Sequence, residues 1–221
     1  MARELQRNQL VDRSIIKKFR KSIWNNFIEC IKGYALISPD DIIGIKLNNN
    51  AESILCAKLM LQLKKVSAFR FEVKITANDD SVSIAHELGI PLSDNLDGCT
   101  KSVNFVCMDD VIETVLHSVM FEHQLKSVLP IQKTDYADII SPLYCIQRDS
   151  IYAFSRYNAL GYEYRSPEDK NSNAVFRLVN NLKNKNEGID RSIFRAVHAV
   201  CLDTLPGYER DCEHHFFIDN Y

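Results

Sequence analysis

The chain has 221 residues, 46% of them hydrophobic and 25% charged, with a formal net charge of −2. That supplies one sizeable core, or an α/β domain with a helical appendage, and no run approaches the roughly 18 apolar residues of a membrane span. The N-terminal MARELQRNQLVDRS lacks the apolar centre of a secretory signal, so the expected place is the cytoplasm, with no membrane partner.

The charge is uneven. Residues 1–21 hold seven Lys/Arg against Glu4 and Asp12, a surplus of five, which leaves the other 200 residues at −7. A basic arm on an acidic body suits contact with a phosphate backbone, and a solvated helix face produces the same run. Val11, Ile15, Phe19, Ile23, Phe27 and Ile31 recur every four residues, which predicts one long amphipathic helix over about 10–34 with Phe19, Ile23 and Phe27 inward. Gly33 and Ser38-Pro39-Asp40 end it, and DIIGIKL (41–47) follows as a mostly apolar strand.

Next comes the turn Asn48-Asn49-Asn50-Ala51-Glu52-Ser53 and a helix over 52–65. FRFEVKI (69–75) alternates strictly, as a strand buried on one face does. Asp79-Asp80 open a short helix that stops at Gly89, SVNFVC (102–107) reads as a third strand, and DDVIETVLHSVMF (109–121) as the helix leaving its end. A short strand near 138–144, helices over 148–160, 172–185 and 189–204, and an irregular tail DCEHHFFIDNY complete the pattern. Strands alternating with helices predict a parallel twisted sheet of about five strands with helices on both faces. Ligands of such sheets sit at the carboxyl ends of the strands, at Asn48–Ser53 and at Asp109-Asp110. The expected division is a basic N-terminal helix (1–36), an α/β domain (37–165) and C-terminal helices with a tail (166–221).

The seven cysteines (30, 56, 99, 107, 145, 201, 212) contain no C-x-x-C pair, which argues against a disulfide framework, a structural zinc or an iron–sulfur cluster. Cys212, His214 and His215 lack a fourth ligand nearby.

The order of elements resembles the PP-loop ATP pyrophosphatases: a basic helix, a strand with a turn ending in Ser53, a segment ending in Asp109-Asp110, then Glu113-Thr114, LKSVLP and ISPLYCIQRDSI. Within them the nearest likeness is to the tRNA 2-thiocytidine synthetases, with the tRNA isoleucine-lysidine synthetases next, and it spans roughly residues 14 to 208. The resemblance implies the adenine nucleotide alpha hydrolase-like fold, ATP and magnesium as cofactors, and tRNA as substrate. It assigns the phosphate turn to residues 48–53 and a catalytic, magnesium-organising acidic pair to Asp109 and Asp110.

The motifs depart from the family. Its S-G-G-x-D-S turn reads NNNAES, so both glycines are gone and only Ser53 survives; its G-H-H-x-D-D reads FVCMDD, keeping the acidic pair alone. Asparagine tolerates the left-handed backbone the turn needs, but its side chains enter the space a phosphate requires. Asp109 and Asp110 equally suit the capping of the helix that begins beside them. Three readings follow: a divergent RNA-associated protein in which ATP adenylation is weakened or lost, an active tRNA-modifying enzyme with an atypical phosphate loop, or a non-catalytic subunit that pairs with an active paralogue or with itself. RNA contact is expected through the basic N-terminal helix.

Overall fold

The structure, a computed structural model, describes residues 6–164, 167–201, 204–210 and 213–216. Its most buried strand is β1 (Ile42–Leu47), flanked on one side by β2 (Glu72–Ala77) and on the other by β3 (Lys101–Val103). Beyond β3 lie β5 (Asp138–Ile140) and, at the edge, β4 (Ile131–Gln132), giving the order β2-β1-β3-β5-β4. All neighbours are parallel except β4, which runs antiparallel to β5. The five-stranded α/β sheet is thus as the sequence pattern predicts, with an antiparallel edge that a two-residue strand gave no means of seeing.

Ile43, Ile45 and Leu47 of β1 are fully buried, and Gly44 between them is buried as well. A β-carbon at Gly44 would lie 3.0 Å from Cys99 Sγ, so the glycine lets the loop before β3 close on the strand. The strict alternation of FRFEVKI begins at Phe69, but β2 begins at Glu72, where its partner Ile42 begins β1. Alternation marks extended backbone; a strand also needs a neighbour. For the same reason SVNFVC is strand only as far as Val103; the Asn104 amide makes a last bond to the Ile140 carbonyl at 2.8 Å, and the chain then runs on into the next helix.

The long N-terminal helix is broken. It consists of α1 (Arg7–Ile16), a π-helical turn over Arg20–Trp24 and α2 (Asn25–Gly33). Its apolar face is nonetheless buried throughout, including Phe19, Ile23 and Phe27. α3 (Ala51–Val66) follows β1 and is the most buried helix, with Ile54, Leu55, Cys56, Ala57, Leu59 and Met60 all inaccessible. Its one interior cation, Lys58, is satisfied by Asp12 at 2.5 Å and by the Leu88 carbonyl at 3.0 Å.

The other helices are α4 (Asp79–Glu87), α5 (Met108–Phe121), α6 (Arg148–Tyr157), α7 (Lys170–Lys185) and α8 (Ile189–His198). They form two packed groups: α1 and α6 around α3, and α7 and α8 around α5. One apolar core runs through both, from Val11 to Phe194. The tail expected to be irregular contributes a strand, β7 (Glu213–Phe216), which pairs antiparallel with β6 (Gly207–Arg210). His215 stacks on Tyr208 across the pair, while Cys212 lies outside the described residues. Among the described residues no helix is long and apolar enough to cross a membrane.

Candidate functional site

β1 and β3 are adjacent and parallel, while their next neighbours β2 and β5 lie on opposite sides. The connections from the two strands therefore diverge and leave a crevice at the carboxyl ends, where α/β sheets hold ligands. The turn at 48–53 forms one wall and the start of α5 the other.

In the turn Asn49 adopts φ +45°, the left-handed region that asparagine tolerates better than other non-glycine residues. Asn50 is extended and caps α3, its Oδ1 accepting from the Ser53 amide at 2.9 Å. Ser53 Oγ accepts from the Asn48 amide at 3.1 Å, and Ser81 Oγ accepts from the Asn49 amide at 2.8 Å. Asn49 Oδ1 in turn accepts from the Tyr162 hydroxyl at 2.7 Å. Three of the turn's amides thus face side chains of this protein. Ala51 and Glu52, in the first turn of α3, have no intrahelical acceptor for their amides, as at any helix start.

Across the crevice Cys107 caps α5, and Asp110 Oδ2 accepts from its amide at 2.8 Å. Asp109 is buried; its Oδ2 accepts from the Arg148 amide at 2.7 Å and its Oδ1 from the Lys183 ammonium. The Arg148 guanidinium donates to Asp110 Oδ1 at 2.6 Å and, in a bidentate pair, to both oxygens of Glu113 at 2.5 and 2.9 Å. It also lies over the Tyr164 ring, 4.4 Å from the centroid. Burial, the strongest influence on Arg148, works against its charge, but Glu113 and Asp110 more than reverse it and raise its pKa. Lys183 shows the same balance: burial lowers and Asp109 raises, with the net shift upward. All four oxygens of the acidic pair thus already accept a hydrogen bond from this protein.

α6 joins the two walls. Arg148 and Tyr152, four residues apart, share one face of that helix; Arg148 holds the start of α5, and the Tyr152 hydroxyl donates to Glu52 Oε1 of α3 at 2.6 Å. Burial first, then the bond to Glu52, pushes the Tyr152 phenol up, so it stays a donor at neutral pH. Asp109, Arg148, Tyr152, Tyr164, Phe176 and Lys183 line a cavity of about 310 Å³ beside this network. Sequence reasoning missed Arg148, Tyr152, Tyr164 and Lys183. The signal available was Glu113, one helical turn from both Asp109 and Asp110, opposite a lone arginine in the apolar ISPLYCIQRDSI.

No family model matches the chain, and no curated protein matches it by sequence. Among solved structures it is similar to the U34-tRNA thiolase NcsA from Methanococcus maripaludis, solved with its 4Fe–4S cluster. The TM-score is 0.60 at 15% identity, over 85% of this chain and 80% of that one. The fold is that of the tRNA thiolase. The likeness bears out, at the level of fold, the resemblance read from the order of elements. An FMN adenylyltransferase from Candida glabrata, in complex with FMN and an ATP analogue, gives a TM-score of only 0.37 at 16% identity, over 71% of this chain and 60% of that one.

The thiolase corrects one expectation. Cysteine spacing was read as excluding an iron–sulfur cluster, yet a protein of this fold carries one, so that exclusion falls. Spacing along the chain is a poor guide because distant segments meet: Cys30 of α2 and Cys145, just after β5, are close enough for each thiol to shift the other's pKa. The pair supplies two thiols, where a cubane cluster takes up to four thiolates. Among the described residues no three His, Cys, Asp or Glu side chains converge as a metal-binding group.

Proposed function

We propose that the chain is a divergent protein of the tRNA 2-thiocytidine synthetase type that associates with RNA and in which ATP adenylation is weakened or lost. The observation that carries this reading is the state of the turn. A phosphate loop needs backbone amides that oxygens can approach to about 2.9 Å, and those of Asn48, Asn49 and Ser53 are already bonded to Ser53, Ser81 and Asn50. Glu52, at the place of the motif's carboxylate, is engaged by Tyr152, and Asp109 and Asp110 by Lys183 and Arg148. RNA association is supported by the basic N-terminal segment, residues 1–21, and by the tRNA substrate of the thiolase that shares the fold. An active adenylating enzyme is the second reading, favoured by the Ala51 and Glu52 amides at the start of α3.

Calorimetry with ATP and Mg²⁺ separates the two. The expected affinity is no tighter than about millimolar, worth roughly 4 kcal/mol, with no pyrophosphate released. Micromolar affinity would establish the active-enzyme reading instead. Restoring the loop with Asn49→Gly, Asn50→Gly and Glu52→Asp frees the Ser53 amide, withdraws Glu52 from Tyr152 and removes the Asn49 side chain held by Tyr162. Glycine suits the left-handed φ of residue 49 and costs only a few tenths of a kcal/mol at the cap. The restored variant is expected to bind ATP about tenfold tighter. No gain would mean that the nucleotide pocket beyond the turn is closed as well.

A further inference from the structure

We propose that the groove between α1 and the C-terminal end of α6 binds single-stranded RNA, with the cations of α1 and of Lys17 and Lys18, which follow it, on the phosphates and Tyr157 as a stacking platform for an unpaired base. The inference rests on the RNA-associated reading above and gives it a place, remote in role from the turn and the acidic pair. The groove has a volume of about 710 Å³ and is lined by Arg7, Arg13, Lys17, Lys18 and Tyr157 among others, with no acidic residue among them. Its sign follows from how α1 is seated. Asp12, the only acid of that helix, faces away from the groove and holds Lys58 at 2.5 Å and Lys65 at 3.3 Å. Arg7 is fixed at the rim by Glu87 and by the Ala159 carbonyl at 2.9 Å. Arg13 and Lys17 are exposed, with no ion pair among the described residues, and stand one helical turn apart.

The aromatic decides the kind of nucleic acid. Tyr157 is 57% exposed, its ring held edge-on by Phe19 at 5.7 Å and covered from one side by the Lys18 ammonium at 4.9 Å. An exposed ring beside a row of cations is how proteins take unstacked single-strand bases, whereas a base inside a duplex has both faces covered by its stacked neighbours. An anionic membrane surface shares the charge chemistry but not the geometry. A helix lying in a bilayer interface needs an apolar face, and that of α1 is spent on the core, with Val11 1% and Ile15 0% exposed.

Fluorescence anisotropy of the full chain with a labelled single-stranded oligoribonucleotide of about twelve nucleotides, titrated over a range of KCl, is the test. Four phosphate contacts give a slope of log K against log salt near about −2.8. Arg13→Glu with Lys17→Glu, both exposed positions, is expected to lower affinity at least about tenfold and reduce the slope to about −1.4. Tyr157→Leu, which keeps an apolar contact to Phe19, is expected to lower affinity at least about fivefold with the slope unchanged. Oligoribonucleotide binding that both variants retain in affinity and slope would overturn the groove and leave the RNA-associated reading standing. Failure of the wild-type chain to bind RNA would remove that reading and the groove with it. Tighter binding to phosphatidylglycerol vesicles than to the oligonucleotide, lost in the charge-reversed variant, would overturn the proposal in favour of a membrane surface.

Discussion

Arg148 is 6% exposed and answers two carboxylates while packing on an aromatic ring. Removing one partner of such a network leaves charge buried without compensation, which is where single substitutions become expensive. Arg148→Ala is expected to destabilise the fold by about 3 kcal/mol, read as a lower urea midpoint; Arg148→Lys should recover part of this, since an ammonium holds Glu113 through one contact instead of two. Equal loss in both variants would mean that the bidentate geometry carries the whole effect. A second buried pair sets the acid limit of stability. Asp41 meets the Lys101 ammonium at 2.8 Å, the Ser38 amide at 2.6 Å and the Thr100 hydroxyl at 3.2 Å. Burial opposes its ionisation, but Lys101, Ser38 and Thr100 outweigh it and hold the carboxyl below its usual range. A carboxylate depressed in the folded state stabilises fully above its unfolded pKa, about 4, and that contribution disappears as pH falls through the folded value. Asp41→Asn is therefore expected to lose about 3 kcal/mol at pH 7 and to flatten the decline in stability below about pH 4. Urea titrations of both proteins at pH 7 and pH 3 show whether the gap narrows.

The N-terminal helix shows how an element departs from its sequence pattern for a physical reason. An apolar residue every fourth position outruns the 3.6-residue turn, so the stripe drifts by about 40° per repeat and would leave the core before Ile31. The π turn at Arg20–Trp24 absorbs the drift by taking one extra residue, with Phe19 and Trp24 amides reaching five residues back to Ser14 and Phe19. Ile23 and Phe27 are thereby returned to the interior at 0% exposure. Deleting exposed Lys21 removes the extra residue, so it is expected to restore a regular α turn with Ile23, Phe27 and Ile31 still on the face of Val11 and Ile15, and to keep a cooperative urea transition near the wild-type midpoint; loss of that transition would mean that the π turn does more than absorb the drift. The spacing of four thus revealed which residues are inside but not the bulge that keeps them there. The same division holds elsewhere. The strand–turn–helix units at residues 42–66 and 101–121 are written in local patterns. Strand ends depend on partners far along the chain, as Glu72 depends on Ile42. In the site, Asn48–Ser53 and Asp109-Asp110 stand out by motif, whereas Lys183 reaches Asp109 from 74 residues away, a meeting no local pattern encodes.

At the scale of the whole molecule, what joins the N-terminal helices, the sheet and the C-terminal helices is aromatic. Tyr144, 1% exposed, packs edge-on against Tyr34 at 5.5 Å and Phe194 at 5.3 Å, and its hydroxyl meets His198 Nε2 at 3.1 Å. α7 adds Val175 and Val179 to the core that α5 begins, and Lys183 to Asp109. A chain ending at residue 165 would expose Tyr144 and the α5 face, and leave buried Asp109 without its cation. Three core side chains, Val175, Val179 and Phe194, would be lost, each worth about 2 kcal/mol of burial. Their sum is comparable to the net stability of a typical domain. Residues 1–165 alone are therefore expected to show no cooperative urea transition, and to regain one when a separate peptide of residues 166–221 is supplied in excess. A fragment that folds unaided, with protected β1 amides in hydrogen exchange, would instead make residue 165 a true domain boundary and reduce α7 and α8 to a cover over the site.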